Sequence, residues 1–250
     1  MSSYPDASHT VMTHAQPSVV SLVRETPEPQ RLTLMASPCS VTLDLARSAL
    51  VVVDMQNDFC HPQGWFASSG IDIAYARKII PGLAALMASA RQRNVPIIHL
   101  HWGVRADTME LSTGQLMFGR QFGQRQGYGE RSASGHSILV RDEWGAAAID
   151  ELAPLHEDIV VHKSRFSGFW HTELDAILRR LDITTLLLAG INTERCVMAT
   201  LQDASFLGYN VVLMEEAVAT PSPDVSRQAA LTLIRQLYGF TARGCSLDEQ

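Results

Sequence analysis

Leu186-Leu-Leu-Ala-Gly190-Ile-Asn-Thr-Glu-Arg-Cys196-Val-Met-Ala-Thr200 is the stretch that decides the fold. Leu186 to Ala189 is an apolar run without polar alternation, as in a strand buried on both faces. Gly190 ends the run. Asn192 and Thr193 are good capping types, so a helix is predicted from there to about Phe206. Cys196 then falls in the first turn of that helix, just past the carboxyl end of a central strand. Free N–H groups and the positive end of the helix dipole lower a thiol's pKa there, and the thiolate is the nucleophile. Ligands of open α/β sheets bind at the same edge. A small buried hydrophobe also suits the position.

Working outward, Ala49–Val53 reads as another strand apolar on both faces, with Asp54 directly after it. Helical periodicity runs from about Ile71 to Arg93, with Ile79, Leu83, Leu86, Met87 and Ala90 on one face. Further strands are predicted at Val95–His101, at Asp158–His162 with Lys163 following, and at Asn210–Met214. Helices are predicted at Glu143–Leu152, at Thr172–Leu181 and at Ser222–Tyr238, where Pro223 stands near the first turn. This alternation predicts an α/β fold, a three-layer α/β/α sandwich with a mostly parallel, Rossmann-like sheet. Residues 103–142 are rich in Gly and Gln and too many for a plain connection, so they are expected to carry short structure or shape a site.

Residues 1–40 are punctuated by Pro5, Pro17, Pro27, Pro29 and Pro38 and show little periodicity. They read as a flexible N-terminal extension that could pack on a neighbouring subunit of a homo-oligomer, a dimer or tetramer. Residues 41–250 read as one domain. The chain of 250 residues is 46% hydrophobic and 18% charged, enough for one well-filled α/β core. Its net charge of −6 comes without a long basic cluster, which argues against nucleic acid and anionic membrane as partners. No apolar run approaches the roughly 18 residues of a membrane span. Cys39, Cys60, Cys196 and Cys245 are widely spaced with no C-x-x-C pair. That spacing suits reduced thiols in a cytoplasm and neither a disulfide framework nor a zinc knuckle.

Asp54, Lys163 and Cys196 each follow an apolar strand at its carboxyl end. In a parallel sheet those ends lie along one edge, so the three could converge. A buried lysine would stabilise the thiolate, and a buried aspartate would compensate the lysine and act as general base. Such a device attacks a carbonyl carbon, passes the proton to a leaving amine and hydrolyses the thioester with water. Taken singly, Asp54 also suits a cap and Lys163 a solvated surface charge.

Three motifs carry a resemblance: Ala49-Leu-Val-Val-Val-Asp54-Met-Gln-Asn-Asp-Phe59, Lys163-Ser-Arg-Phe-Ser-Gly-Phe169, and Gly190-Ile-Asn-Thr-Glu-Arg-Cys196-Val with Gln202-Asp203-Ala downstream. In this order the chain resembles the isochorismatase-like cysteine hydrolases over about residues 46 to 238. The resemblance implies a catalytic triad of Asp54, Lys163 and Cys196 and no cofactor. It also implies a cis peptide between Ile191 and Asn192, with the N–H groups of Asn192 and Cys196 forming an oxyanion hole.

Isochorismatases proper lack this cysteine, so Cys196 points to C–N bond hydrolysis. Nicotinamidases carry a metal site built on Asp-x-His. Here the strand reads His99-Leu-His101, two side chains on one face without the Asp, so no metal is expected and the pair is read as structural or pocket-lining. The Lys163–Trp170 stretch and Trp144-Gly145 look most like the ureidoacrylate and biuret hydrolase branch, which also takes in N-carbamoylsarcosine amidohydrolase. The expected substrate is a small ureide or amide with a planar carbamoyl group. Asn57, Asn192 and Gln202 are candidates to hydrogen-bond it; Phe59, Trp65, Phe166, Phe169 and Trp170 are candidate walls. Arg165 could take a substrate carboxylate in bidentate fashion or make a surface ion pair. Two other readings stay open: hydrolysis of another small carboxamide such as nicotinamide, and a thiol-redox or non-catalytic role on the same fold.

Overall fold

The apolar runs around residues 50 and 188 become the two adjacent central strands of a seven-stranded sheet. The structure is a computed structural model that describes residues 19–23, 27–121 and 125–248. In chain order the first elements are strands Arg31–Leu34 (β1), Ala36–Ser37 (β2), Val41–Asp44 (β3) and Ser48–Val53 (β4). Short helices Asn57–Cys60 (α1) and Trp65–Ser68 (α2) precede the long helix Ala74–Gln92 (α3) and strand Ile97–Trp102 (β5). Then come helix Thr113–Gly119 (α4), strand Ile159–Lys163 (β6), helix Leu174–Arg180 (α5) and strand Thr185–Ile191 (β7). Helix Met198–Phe206 (α6), strand Asn210–Ala219 (β8), helix Asp224–Leu233 (α7) and strand Phe240–Ala242 (β9) complete it.

The large sheet has the order β2-β9-β8-β7-β4-β5-β6. Every pairing in it is parallel except the edge pair β2–β9. Helices flank it, as the strand–helix alternation predicts. Every residue of β4 and β7 is buried, which is why neither strand alternates in the sequence. From β4 the chain runs outward through β5 and β6, then returns to lay β7 on the other side of β4. The order therefore reverses between β4 and β7, and a crevice opens at the carboxyl ends of those strands. Gly190 makes the close contact between them possible. Its φ is +105°, and a Cβ there would lie 2.1 Å from the Val53 carbonyl oxygen.

Four expectations need correction. Regular structure begins at Arg31, inside the stretch read as extension: β1 pairs with β3, and Leu32 and Leu34 are buried. Residues 1–18 and 24–26 of that stretch lie outside the described residues. The helix predicted at 143–152 is two 3₁₀ turns, Trp144–Ala146 and Asp150–Leu152. The backbone between them is drawn out to pair with 55–57, through Asn57 N–H to Ala147 O and Ile149 N–H to Met55 O. β8 runs to Ala219 and not to Met214, because Glu215 is ion-paired with Arg235 at 2.6 Å and Ala217 and Val218 are buried beyond it. The last helix ends at Leu233 and closes with a π turn over Ile234–Tyr238. Among the described residues, no helix is long and apolar enough to cross a membrane.

Candidate active site

The crevice at the carboxyl ends of β4 and β7 is where the three strand-end residues meet. Asp54 leaves β4 with a positive φ of 55°, and its backbone is tied by the bond from its N–H to Leu100 O. Lys163 is the last residue of β6 and lies opposite Trp102 in the β5–β6 register. Its side chain crosses the Trp102 ring, with Nζ 4.2 Å from the ring centre, and ends 2.9 Å from Asp54 Oδ2. Cys196 sits in a π turn, Thr193–Val197, that leads into α6. Its side chain interacts with both Asp54 and Lys163. The Ile191–Asn192 peptide is cis. Thr200 joins the two loops, since its hydroxyl donates to Cys196 O and accepts from Gly168 N–H.

The electrostatics depart from the sequence expectation for the thiol. The helix-end position predicts a lowered Cys196 pKa. In the fold, burial pushes the thiol up, the Asp54 carboxylate adds to this, and Lys163 opposes it. Burial also raises the Asp54 carboxyl, against the pull of Lys163. The resting site is therefore a buried thiol beside an ion pair, with Asp54 made a stronger base than a solvated aspartate. Asp54 Oδ1 is buried and, among the described residues, has no hydrogen-bond partner. It is the oxygen open to a proton.

A cavity of about 390 Å³ opens above Cys196, within the size range of small-molecule sites. Phe59, Trp65, Phe66, Trp102, Tyr128 and Phe166 form its walls. Asp54, Asn192, Arg195 and Cys196 supply its polar and reactive groups. Part of the wall comes from the 103–142 segment, through Phe118, Gly119, Gln121 and Tyr128. That segment is fastened beneath by Asp58, which is fully buried. Its carboxylate accepts from Trp65 N–H at 3.0 Å and Leu139 N–H at 2.8 Å and meets His136 Nε2 at 2.6 Å.

Of the residues read from the sequence as substrate-binding, Phe59 and Trp65 line the cavity, and so do Asn192 and Phe166. Four do not. Asn57 is spent on Trp144 O, and Gln202 on the Tyr238 hydroxyl. Phe169 packs against Tyr209. Arg165 is held by Ser164 and by the Glu110 carbonyl, which turns its guanidinium away. Trp170 is exposed and donates to Asp203. His99 and His101 lie in β5 outside the cavity lining. His99 contacts Asp158 at 3.2 Å. Burial and its neighbours push His101 down to about 3, so it is neutral.

Sequence reasoning missed Trp102, Tyr128, Arg195 and Gln56. Gln56 is fully buried and donates to Trp102 O and Ala146 O while accepting from Trp102 N–H, which fixes the tryptophan under Lys163. A glutamine three residues past an all-apolar strand was its only signal.

The isochorismatase domain family matches residues 48–243. A cysteine hydrolase from Pseudomonas syringae pv. phaseolicola 1448A is 27% identical, with 81% of this chain and 91% of that chain covered and a TM-score of 0.68. An isochorismatase family protein from Desulfovibrio vulgaris subsp. vulgaris str. Hildenborough is 29% identical over 80% of this chain and 94% of its own, with a TM-score of 0.65. The N-carbamoylsarcosine amidase from Thermoplasma acidophilum is 26% identical over 82% and 98%, with a TM-score of 0.60. With the family match spanning most of the chain, the chain belongs to the isochorismatase family.

Proposed function

We propose that the chain is a cysteine-dependent amidohydrolase. It cleaves a C–N bond of a small ureido or carbamoyl compound, of ureidoacrylate, biuret or N-carbamoyl type, through a thioester, and releases ammonia or an amine. The observation that carries this reading is that Cys196 and Asp54 line one aromatic cavity, with Lys163 buried behind them against Asp54.

The chemistry follows from the charges. The Cys196 thiol gives its proton to Asp54 as sulfur attacks the carbonyl carbon. The N–H groups of Asn192 and Cys196 take the developing oxyanion. Asp54 returns the proton to the leaving nitrogen, and a thioester and an amine result. Water, deprotonated by Asp54, then attacks the thioester and restores the thiol. Lys163 keeps a positive charge beside both ionising groups throughout.

The substrate class draws on the cavity's unpartnered polar atoms. Asp54 Oδ1 and Asn192 Oδ1 are buried acceptors, and Trp102 Nε1 is a buried donor, none with a partner among the described residues. Buried polar groups are normally paired. A carbamoyl group offers N–H donors and a C=O acceptor in one plane, which suits such a set. The likeness to N-carbamoylsarcosine amidase supports the same class. The aromatic walls also suit a flat ring bearing a carboxamide, so nicotinamide belongs in the test.

That test is ammonia release measured side by side from biuret, a ureidoacrylate-like acid, N-carbamoyl amino acids and nicotinamide, with Cys196→Ala as control. The ureides should lead in kcat/KM. Nicotinamide best by tenfold or more would leave only the amidohydrolase class. No Cys196-dependent release from any of them would overturn the reading.

A further inference from the structure

Arg195 is the one cation among the described residues that line the cavity. It precedes Cys196 in the chain and, with Asp54, is one of two charged residues in a lining otherwise made mainly of aromatic rings. Its guanidinium is held in place. Nε donates to Glu194 Oε1 at 3.2 Å, and Nη2 donates to the Ser222 hydroxyl at 2.8 Å. Glu194 Oε1 is itself fixed by the hydroxyls of Thr220 and Ser222. A guanidinium carries five N–H donors in a rigid fork. Among the described residues these bonds engage Nε and Nη2, which leaves the Nη1 edge for a ligand.

We propose that Arg195 is the anion-recognising residue of this site. It binds the carboxylate of a small acid whose carbonyl carbon lies against Cys196. The inference rests on the cavity being the substrate site of the hydrolysis above, and it narrows that substrate to a carboxylic acid. Three observations support it. A fork fixed on one edge and open on the other is organised in advance for a planar carboxylate. No other positive charge lines the cavity among the described residues, so a substrate anion has one partner of opposite charge there. The other arginine that the sequence offered for this role, Arg165, is bound to Ser164 and Glu110 and is absent from the cavity wall. The Glu194 carboxylate does not cancel the effect, because it sits behind the Nε edge.

A test that needs no turnover separates this inference from the hydrolase reading. Alkylation of Cys196 is followed by peptide mass spectrometry with iodoacetate and 3-iodopropionate, each against its neutral amide. Exposed Cys39 is the internal reference. The acid-to-amide rate ratio at Cys196 should fall at least fivefold in Arg195→Gln for one of the two chain lengths. It should fall less in Arg195→Lys, which keeps the charge and loses the fork, and the Cys39 ratio should not move. An unchanged ratio at both lengths in Arg195→Gln overturns the proposal. So does an equal loss in Arg195→Lys, which marks a distorted cavity, and so does a Cys196 that neither acid labels. If the ratio responds as stated while no amide or ureide is hydrolysed, the anion site stands and the hydrolase reading falls.

Discussion

Lys163 Nζ lies 2.9 Å from Asp54 Oδ2 with both side chains buried, one 0% and the other 2% exposed. An ion pair taken out of water gains little net stability, yet breaking it leaves a bare charge in the core. Lys163→Ala should therefore lower the unfolding free energy by about 3–5 kcal/mol. The double variant Lys163→Met with Asp54→Leu should recover most of that loss. Urea unfolding of the three proteins checks this. A double variant no more stable than the single one would mean that the pair is not what the core depends on. Turnover should fall by roughly 10²–10³-fold in Lys163→Ala, since one electrostatic stabiliser contributes on that order, and vanish in the double variant, which also lacks the base.

The direction of the thiol shift gives a pH prediction. Burial and Asp54 raise the Cys196 pKa, so the thiol stays protonated through neutral pH. Its iodoacetamide reactivity should climb only above the ordinary thiol value of about 8.5. Asp54→Asn removes the neighbouring negative charge, so the midpoint should move down. On the acid side, Asp54 must be ionised to accept the proton, and burial raises its pKa. The acid limb of kcat/KM should lie above the usual aspartate value of about 3.9. An alkylation midpoint at or below 8.5 in the native protein would mean that Lys163 and the helix end outweigh burial.

Residues that follow a wholly apolar strand were legible in the sequence, because the strand's burial fixes where its carboxyl end must be. Asp54 after Ala49–Val53 and Cys196 after Leu186–Ala189 could be brought together on paper for that reason. Lys163 followed from the same rule, although its strand is only partly buried. The walls were less legible. Trp102 and Tyr128 enter through pairings between distant segments, and nothing in their spacing says which way a ring turns. The arginines show the limit most clearly. Arg165 and Arg195 are each next to a motif residue, but a carbonyl 55 residues away, Glu110 O, decides that Arg165 is not at the cavity. β1 escaped notice because four residues with two buried leucines are too short for a period to stand out.

Asp58 gives the cavity wall its anchor, and its removal should loosen that wall before it unfolds the sheet. Two backbone N–H groups and His136 converge on its buried carboxylate. Asp58→Asn replaces one accepting oxygen with a donor that faces another donor. The cost should be about 1–3 kcal/mol, that of a buried polar group left unsatisfied. Limited proteolysis should then cut within 125–142 at a lower protease concentration than in the native protein. KM should rise several-fold, while kcat falls less, because Cys196, Asp54 and Lys163 are not touched. Unchanged proteolysis and an unchanged KM would show that the segment is held by its apolar contacts instead.

Chelation tests the histidine pair on β5. His99 is turned to Asp158, which is also bound by Arg91 at 2.5 Å, so that carboxylate is already neutralised. His101 is buried between the rings of His99 and His162, at 5.7 and 6.1 Å, with Lys163 adding to the cost of any positive charge nearby. Among the described residues, no group of three or more His, Cys, Asp or Glu side chains is arranged to hold a metal ion. In the mechanism proposed above, Cys196, Asp54 and Lys163 supply a nucleophile, a base and a fixed positive charge without a metal. Hydrolysis should therefore continue at full rate after exhaustive dialysis against a chelator, and added zinc or iron should not increase it. Zinc should if anything slow the reaction, by capturing the Cys196 thiolate as it forms. Activity that disappears with the chelator and returns with zinc or iron would put the β5 histidines in the reaction and require a site other than the one built on Cys196.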